Sequence, residues 1–313
     1  MTNLDTIKNQ TSSLIEIFSL FQTEECAKKY LEKIRWGDTL LCPRCHSRKV
    51  NKIKKQKPMP YFCNHCRKYF SVRTETIMEE SKISLRKWMI ALYLFKNTPK
   101  GIASTRLGEY LGIQQRSAWF LLHRIREATK QPMNPLSGTV EVDETYIGGK
   151  RVNMSKYRRM QLYHLGRGSA GKIPVVGALN RETNQVIAKV VEHTDKETLH
   201  EFIDENTTPH SVVYTDEARC YHGLNREHEW ICHSRRQFVD GKVHTNSIES
   251  FWARVKRTYK GTHHWMSKKH LQRYVDELVW KHNIRGKDPI EQIGLIIKNV
   301  PFSNRFLPIL VSP

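Results

Sequence analysis

The segment Asn246-Ser-Ile-Glu249-Ser-Phe-Trp-Ala-Arg-Val-Lys256-Arg257 has the pattern of an amphipathic helix. At 3.6 residues per turn, one face of this helix is apolar and carries Ile248, Trp252, Val255 and Tyr259. Glu249 and Lys256 are seven positions apart, so they lie together on the flank of that face. The helix therefore presents an acid and a base beside an apolar stripe, where side chains from other elements can join them.

Two aspartates upstream each end an apolar, β-branched run. Asp143 ends Thr139-Val-Glu-Val-Asp143, and Asp216 ends Ser211-Val-Val-Tyr-Thr-Asp216. Such runs are typical of buried strands. Two aspartates on strands and one glutamate on a helix form a candidate site for a divalent metal, because Mg²⁺ prefers oxygen ligands. The alternative is that the aspartates are ordinary turn residues on a solvated surface.

The region around these acids is predicted to be one domain, over residues 138–285, after a linker that contains two prolines and a glycine. Periodicity predicts four strands and, before the last of them, a helix over 195–206. The strands are predicted at Val140–Ile147, Ile173–Leu179, Gln185–Val191 and Ser211–Thr215. The first three fit a meander, and the fourth is a candidate for parallel pairing with the first. Residues 286–313 follow as a C-terminal tail.

Two Cys-x-x-Cys pairs, Cys42-Pro-Arg-Cys45 and Cys63-Asn-His-Cys66, are separated by 17 residues. This spacing predicts a zinc ion held by four cysteines, with a β-hairpin between the pairs, in a zinc ribbon over residues 38–75. Four thiolates close the coordination shell, so the zinc would be structural. The alternative is four reduced thiols without a metal.

Helical patterns flank the ribbon. Residues 1–37 are an N-terminal helical segment, with one helix expected over 14–36. Residues 82–130 are predicted to be a helix-turn-helix DNA-binding region: a helix from Ser84 to Phe95 precedes a helix pair, Ile102–Tyr110 and Gln114–Thr129, joined by a turn that contains a glycine.

In the last of these helices, Trp119, Leu122 and Ile125 are expected to face the core. The polar side chains left for DNA are then Gln114, Gln115, Arg116 and Arg124. The alternative is an ordinary helical hairpin with a solvated basic face.

The overall charge favours a polyanionic partner. There are 52 Lys and Arg against 31 Asp and Glu, a formal net charge of +21. Nucleic acid is preferred to a membrane surface, because no segment has the pattern of an amphipathic lipid anchor. The chain has no apolar run long enough to span a bilayer and no signal-peptide pattern. Seven cysteines, four of them in pairs, fit metal binding in a reducing compartment. We expect a cytoplasmic, nucleoid-associated protein with no membrane partner.

The order strand, strand, strand, helix, strand, with acids on the first and fourth strands and on a later helix, resembles the RNase H-like core. The motifs resemble bacterial insertion-sequence transposases of the DDE class that carry an N-terminal zinc ribbon and an ISXO2-like catalytic domain. The resemblance covers roughly residues 15–285. The matching stretches are Val142-Asp143-Glu-Thr-Tyr146-Ile-Gly-Gly149-Lys150, Tyr214-Thr-Asp216-Glu217, His244-Thr-Asn246-Ser-Ile-Glu249-Ser-Phe-Trp252, Lys256-Arg257, Gly261-Thr-His-His264 and His270-Leu-Gln-Arg-Tyr274-Val-Asp-Glu277.

The resemblance implies an α/β protein whose RNase H-like mixed-sheet catalytic domain follows a zinc ribbon and a helix-turn-helix. It implies a transposase that binds the ends of an insertion sequence and catalyses metal-dependent DNA cleavage and strand transfer, as a homo-oligomer assembled on transposon ends and target DNA. Asp143 would bridge two Mg²⁺ or Mn²⁺ ions, while Asp216 and a third residue would each help to hold one. Lys256 would hold a DNA phosphate, with Arg257 beside it on the DNA.

The third residue has two candidates, because the relatives carry either Asn or Glu there and this chain has both Asn246 and Glu249. The same four residues also match a helix capping box, with Asn246 as N-cap and Glu249 reaching back. We favour Glu249, because its charge suits a metal and Lys256 lies on its side of the helix. The neighbouring acids Glu141 and Glu144 are expected to be structural.

Two other functions are open at this point. One is a non-enzymatic DNA-binding regulator derived from a transposase, which the intact acids disfavour. The other is an RNase H-like nuclease acting on RNA or repair intermediates, which the two N-terminal DNA-reading modules disfavour.

Overall fold

The computed structural model describes residues 13–130, 132–163, 169–231, 245–286 and 289–298. The chain divides into two compact units, one formed by residues 1–129 with 286–313 and the other by residues 130–285. His244 of the resemblance lies outside the described residues. Within the described ranges, no helix combines the length and the apolar character needed to cross a bilayer.

The first unit begins with two helices, α1 (Leu14–Leu20) and α2 (Glu24–Trp36). The prediction of one helix over 14–36 is therefore wrong. The helical conformation is interrupted before Thr23. The Thr23 hydroxyl accepts a hydrogen bond from the backbone N–H of Cys26 and caps α2. The break also brings the Phe21 ring against Tyr30, with ring centroids 5.1 Å apart.

A three-stranded antiparallel sheet follows, with β1 (Val50–Lys52), β2 (Tyr61–Cys63) and β3 (Lys68–Phe70) in sequence order. The β1–β2 hairpin between the two cysteine pairs agrees with the prediction. Trp36 packs edge-on against the rings of Tyr61 and Phe70, with centroids 5.5 and 6.0 Å away. This aromatic cluster gives the small sheet a core of its own.

Three helices follow the sheet, α3 (Leu85–Asn97), α4 (Ser104–Leu111) and α5 (Gln115–Thr129). α4 ends at Gly112, which has a left-handed φ of 57°. A Cβ atom on Gly108 would lie 2.9 Å from the carbonyl oxygen of Ile113, so the turn crosses close to α4. The two helices and the glycine-containing turn lie where they were predicted, and the helix-turn-helix and its DNA-binding role remain predictions.

The segment 286–313, expected to be a tail, contains a helix, α10 (Pro289–Lys298). α10 packs against α2, α3 and α5. The buried side chains Ile293, Ile296 and Ile297 have the i, i+3, i+4 spacing of one helix face. The expectation of a tail is thus corrected: this segment adds an apolar helix to the first unit.

The second unit is built on a mixed five-stranded sheet in the order β6-β5-β4-β7-β8. β4, β5 and β6 form an antiparallel meander, whereas β7 is parallel to β4 and β8 is parallel to β7. The predicted meander and the parallel pairing of the first and fourth strands are confirmed. The strands are β4 (Thr139–Ile147), β5 (Ile173–Asn180), β6 (Val186–Val190), β7 (Val212–Asp216) and β8 (His228–Ile231), of which β8 was not predicted.

Helices cover both faces of this sheet. α7 (Lys196–Asn206) packs on the face that carries Val140 and Val142. α8 (Asn246–Thr258) and α9 (Lys268–Asn283) pack on the other face. A short helix, α6 (Lys156–Gln161), lies in the connection between β4 and β5. Because side chains alternate along β4, every second residue faces α8. The arrangement is the predicted RNase H-like α/β core.

Candidate active site and zinc centre

The four predicted zinc ligands meet in the first unit. Their Sγ atoms all lie within 4.8 Å of one another. The residue after each Cys-x-x-Cys pair, His46 or Arg67, has the same left-handed φ of 55°, so the two pairs sit in turns of the same shape. The closest sulfur pairs are Cys42 with Cys66 at 3.7 Å and Cys45 with Cys63 at 3.6 Å.

The surroundings of these thiols suit metal binding. Burial raises the pKa of Cys42 to about 12, as expected for a thiol in an apolar site without its cation. Burial also acts on Cys63, but the backbone N–H groups of Cys66 and His65 outweigh it and lower the pKa of Cys63 to about 7. Such a thiol ionises easily, and the thiolate is the form that binds zinc. The donor set fits a structural zinc ion with a closed four-thiolate shell.

In the second unit, Asp143 and Asp216 lie on neighbouring strands. The parallel register pairs Thr139 with Val212 and Glu141 with Tyr214. The pairing ends there, and Asp143 and Asp216 each lie two residues further along their strands, where the negative charge of Asp216 acts on Asp143. Strand alternation directs Asp143 to the same face as Glu141, the face that α8 covers. The fold thus brings the two predicted aspartates together.

Glu249 approaches these aspartates from α8. The apolar face predicted for this helix is confirmed, because Ile248, Trp252, Val255 and Tyr259 are all buried. Glu249 is exposed, and its Oε1 atom accepts a hydrogen bond of 3.3 Å from the Thr245 hydroxyl. Its negative charge acts on Asp143, so the predicted third acid lies within electrostatic reach of the first.

Negative charges crowd around Asp143. Burial raises the pKa of the Asp143 carboxyl to about 7, and the negative charges of Glu144, Asp216 and Glu249 act in the same direction. A bound cation would offset this repulsion, and carboxylate oxygens are the donors that Mg²⁺ and Mn²⁺ prefer. The acids therefore fit a divalent metal by donor type and by charge.

The acids do not form a single closed ligand set in the structure. Among the described residues, the four cysteines are the single group of three or more potential ligands whose ligand atoms all lie within 4.8 Å of one another.

The N-terminus of α8 corrects the capping-box alternative. Its N-cap is Thr245, which makes no side-chain cap bond, and Asn246 is already helical. The backbone N–H groups of Ser247 and Ile248 instead donate to Oε2 of Glu141, at 3.0 and 2.9 Å. Glu141 therefore takes the side-chain acceptor role that the capping box assigned to its N-cap residue, Asn246. Sequence spacing does not reveal this bond, because its partners are 106 residues apart.

Glu144 has the structural role that was expected of it. Its Oε2 atom accepts a hydrogen bond of 2.5 Å from the hydroxyl of Tyr221, a residue of the cluster on the α7 face. Asn246, Lys256 and Arg257 are exposed along α8. Lys256 is two turns beyond Glu249, about 10 Å along the axis. The roles of these three residues stay predictions.

The four side chains predicted to read DNA divide into two groups. Gln114, Gln115 and Arg116 are exposed at the start of α5. Arg124 is buried, and its guanidinium donates to the backbone carbonyls of Ile77 and Glu79 at 3.1 and 2.7 Å. The prediction of Arg124 as a DNA ligand is wrong. Eight helical positions rotate it by about 80° from Arg116, toward the interior of the unit.

A basic surface between β4 and β5 was missed by the sequence reasoning. We call residues 150–163 the basic segment. It contains no acid and five cations, Lys150, Arg151, Lys156, Arg158 and Arg159. Tyr157, Met160 and Tyr163 are 72%, 65% and 75% exposed. An open cleft of 420 Å³ is lined by Arg151, Lys156, Arg159, Met160 and Tyr163. The signal that could have found this surface was a run of cations interleaved with aromatics.

Comparison with known families identifies two modules in the chain. The ISXO2-like transposase domain matches residues 135–283, and the transposase zinc-ribbon domain matches residues 22–69. An uncharacterized protein in transposable element ISH50 of Halobacterium salinarum is 25% identical over 288 residues, which cover 89% of this chain and 97% of that protein. An uncharacterized transposase-like protein of Haemophilus influenzae is 32% identical over 102 residues, 32% of this chain and 81% of that protein.

Among solved structures, a chain of the simian T-cell lymphotropic virus intasome in complex with PP2A regulatory subunit B56 gamma aligns with a TM-score of 0.28 and 12% identity. The alignment covers 61% of this chain and 64% of that chain. A TM-score this low does not establish a shared fold, so the assignment rests on the sequence matches. The zinc-ribbon and catalytic-domain matches together mean that this chain belongs to the ISXO2-like family of insertion-sequence transposases.

Proposed function

We propose that this transposase binds the ends of an insertion sequence, cuts the phosphodiester backbone there and joins the freed 3′ end to target DNA. Asp143, Asp216 and Glu249 would hold two divalent cations. The observation that carries this proposal is that Asp143 and Asp216 each lie two residues beyond the last paired positions of adjacent parallel strands, and that the charges of Asp216 and Glu249 both act on Asp143. When bound, the cations would stabilise the charge that develops on the attacking and leaving oxygens.

The chain itself supplies position and charge. Asp143 lies on the central strand of the sheet, so a rigid element would hold the carboxylate shared by both ions. Asp216 is fixed partly by its own turn, because its Oδ1 atom accepts a hydrogen bond of 3.1 Å from the N–H of Ala218. Lys256, exposed on α8, would hold a phosphate beside the acids as a point charge.

We propose Glu249 rather than Asn246 as the third residue. Two observations support this choice. The charge of Glu249 acts on Asp143, and the backbone N–H groups of Ser247 and Ile248 in the first turn of α8 donate to Glu141. Glu249→Gln should then reduce joining at least as strongly as Asp216→Asn, whereas Asn246→Ala should keep most of the activity. The reverse ranking of the two variants would assign the third position to Asn246.

DNA would be bound by both units. The helix pair α4–α5 would act as the helix-turn-helix, with Gln114, Gln115 and Arg116 toward base edges and phosphates. In the second unit, Lys256 and Arg257 would contact the backbone near the acids. Because two ends have to be joined in one reaction, we expect a homo-oligomer on DNA, in the nucleoid of a bacterial cytoplasm.

The basic segment is proposed as a further DNA surface. Its cations would pair with phosphates, and Tyr157 and Tyr163 would offer stacking faces for bases. The double variant Lys156→Gln, Arg159→Gln should weaken binding of a terminal duplex. The slope of log affinity against log salt concentration should become shallower by about 2, because two phosphate contacts are lost. Lys189→Gln with Lys269→Gln removes two cations elsewhere in the same unit and serves as the control. If both double variants weakened DNA binding equally, the basic segment would contribute only through the overall positive charge and would not be a specific DNA surface.

A cleavage and joining assay tests the proposal as a whole. The substrate is a duplex carrying the sequence that flanks the encoding gene, with Mg²⁺ present. Asp143→Asn should abolish both steps and keep end binding, whereas Glu197→Gln, an exposed acid on the opposite side of the sheet, should behave as wild type. A DNA-binding regulator would bind without cutting. An RNase H-like nuclease would cut an RNA–DNA hybrid without joining.

A further inference from the structure

Glu141 is a buried acid outside the proposed set of metal ligands. Its side chain is 0% exposed, yet it carries a carboxylate. One oxygen, Oε2, accepts the backbone N–H groups of Ser247 and Ile248 in the first turn of α8. Burial of a charge is costly unless the charge is bonded and paired, so this position requires a physical reason.

The second oxygen of Glu141 is paired as well. Oε1 lies 2.9 Å from Nε of Arg181, which follows the end of β5. The Arg181 guanidinium lies over the ring of Tyr214, with 5.3 Å between Cζ and the ring centroid. Tyr214 in turn lies on β7, two residues before Asp216. One carboxylate thereby connects α8 with the strands that carry Asp143 and Asp216.

A separate contact fixes the middle of α8 on the same strands. Gly177 of β5 is paired directly with Asp143. A Cβ atom at Gly177 would lie 2.6 Å from Cζ2 of Trp252, so the indole occupies the space that a side chain would fill. α8 is thus held at its first turn by Glu141 and at its centre by Trp252, and Glu249 lies between these two points.

We propose that Glu141 is a positioning residue of the active site: its carboxylate anchors the first turn of α8, and this sets the position of Glu249 relative to Asp143 and Asp216. The anchor acts on Ile248, the residue directly before Glu249. A negative charge at this end of a helix is also favourable, because the exposed N–H groups carry partial positive charge. Arg181 balances the buried charge.

This inference rests on the proposed function and predicts different behaviour for the two partners. Glu141→Gln keeps the shape of the side chain but loses the charge that accepts both N–H groups. Arg181→Gln leaves the carboxylate on α8 and removes only its counterion. Glu141→Gln should therefore damage the reaction, whereas Arg181→Gln should mainly damage stability, since it leaves a buried charge unpaired.

The test uses the full chain and measures joining of the terminal duplex, end binding, Mn²⁺ dependence and thermal unfolding. Partners that orient metal ligands typically contribute about 10–100-fold in activity or metal affinity. For Glu141→Gln we expect a fall in kcat of about tenfold or more and a matching rise in the Mn²⁺ concentration at half activity, with end binding unchanged. Arg181→Gln should lower the Tm and keep kcat within about threefold at a temperature where it is folded.

Two results would overturn the inference. One is a Glu141→Gln variant with wild-type kcat and Mn²⁺ dependence. The other is a loss of kcat that follows the loss of Tm equally in both variants, which is the behaviour of a merely structural ion pair. Asp143→Asn separates this failure from failure of the proposed function. If Asp143→Asn is inactive while Glu141→Gln is active, only the positioning role is wrong, whereas an active Asp143→Asn would remove the proposed function itself.

Discussion

The zinc centre and the acidic site are assembled in opposite ways. All four thiols come from two turns between Cys42 and Cys66, and the turns differ little in backbone shape. The three acids come from two strands and a helix, and Asp143 and Glu249 are 106 positions apart in the sequence. The first site depends on local chain geometry, and the second depends on strand pairing and on the docking of α8. Spacing in sequence can therefore reveal a zinc ribbon, whereas an acidic site of this kind requires knowledge of the topology.

Loss of a zinc ligand should give the largest effect. Structural zinc in small modules contributes about 10–16 kcal/mol of apparent binding free energy, and the buried cluster of the small β1–β3 sheet includes the ligands Cys42 and Cys63 themselves. We expect Cys42→Ser to lose most of its bound zinc, the fold of the ribbon and DNA binding. Zinc content and end binding measure this. Cys26→Ser, at an exposed cysteine outside the cluster, is the control. Normal zinc content in Cys42→Ser would refute the four-thiolate shell.

Gly177→Ala tests the other kind of assembly, because it disturbs the packing of α8 without substituting any of the three acids. The added Cβ atom would meet Trp252 at 2.6 Å, so α8 has to move away from Asp143. Displacement of a catalytic group by about 1 Å can cost about 100-fold in rate, and we expect a loss of about 10–100-fold in joining with normal zinc content. Gly294→Ala, where an added Cβ meets nothing within 4 Å, is the control. Wild-type activity in Gly177→Ala would mean that the position of α8 tolerates such a shift.

Two arginines of α5 separate a surface role from a buried one. Arg124→Ala removes a guanidinium that donates to two carbonyls, and should destabilise the protein by about 2–3 kcal/mol. Arg116→Ala should leave stability unchanged, weaken end binding and reduce the salt slope by about 1. Chemical denaturation and binding at several salt concentrations measure both variants. If both variants were fully folded and lost the same DNA affinity, Arg124 would be a DNA ligand after all.

The smallest expected effect is a dependence of stability on pH. In the metal-free protein the pKa of Asp143 is about 7 against an ordinary 3.8, so the folded state holds a proton that the unfolded state releases between these values. Stability contributed by this group is therefore present at low pH and is lost as the pH rises toward 7. Asp143→Asn should raise the Tm at pH 8 by about 5 °C and change it little at pH 4. Thermal unfolding in the presence of a chelator measures this. An unchanged Tm at pH 8 would contradict the raised pKa of Asp143.

The sequence was sufficient where a feature depends on local chain geometry. The buried face of α8, the hairpin between the cysteine pairs and the turn at Gly112 all follow from periodicity, spacing and a glycine at the right place. The mixed sheet and the pairing of β4 with β7 followed from the order of the strands together with the family resemblance.

The sequence was insufficient where tertiary contacts decide. The cap of α8 comes from Glu141, more than a hundred residues away, so the local Asn246–Glu249 pattern was misleading. Arg124 and Arg116 are chemically alike and differ only in the face of α5 on which they lie. β8 escaped prediction because His228 and Glu229 break the apolar pattern of a strand that pairs only at the edge of the sheet. The apolar spacing of α10 is visible in the sequence, but the helices against which it packs are not.

The central claim is that Asp143, Asp216 and Glu249 hold metal ions for DNA cutting and joining. Asp216→Cys tests it most directly, because a thiolate binds Mg²⁺ poorly but accepts the softer Mn²⁺. Joining of the terminal duplex should be absent in Mg²⁺ and partly restored in Mn²⁺, with wild-type protein active in both ions. Full joining activity of Asp216→Cys in Mg²⁺ would contradict the proposed metal site. The site would also be contradicted if Mn²⁺ restored no activity to Asp216→Cys and Glu249→Gln were still active.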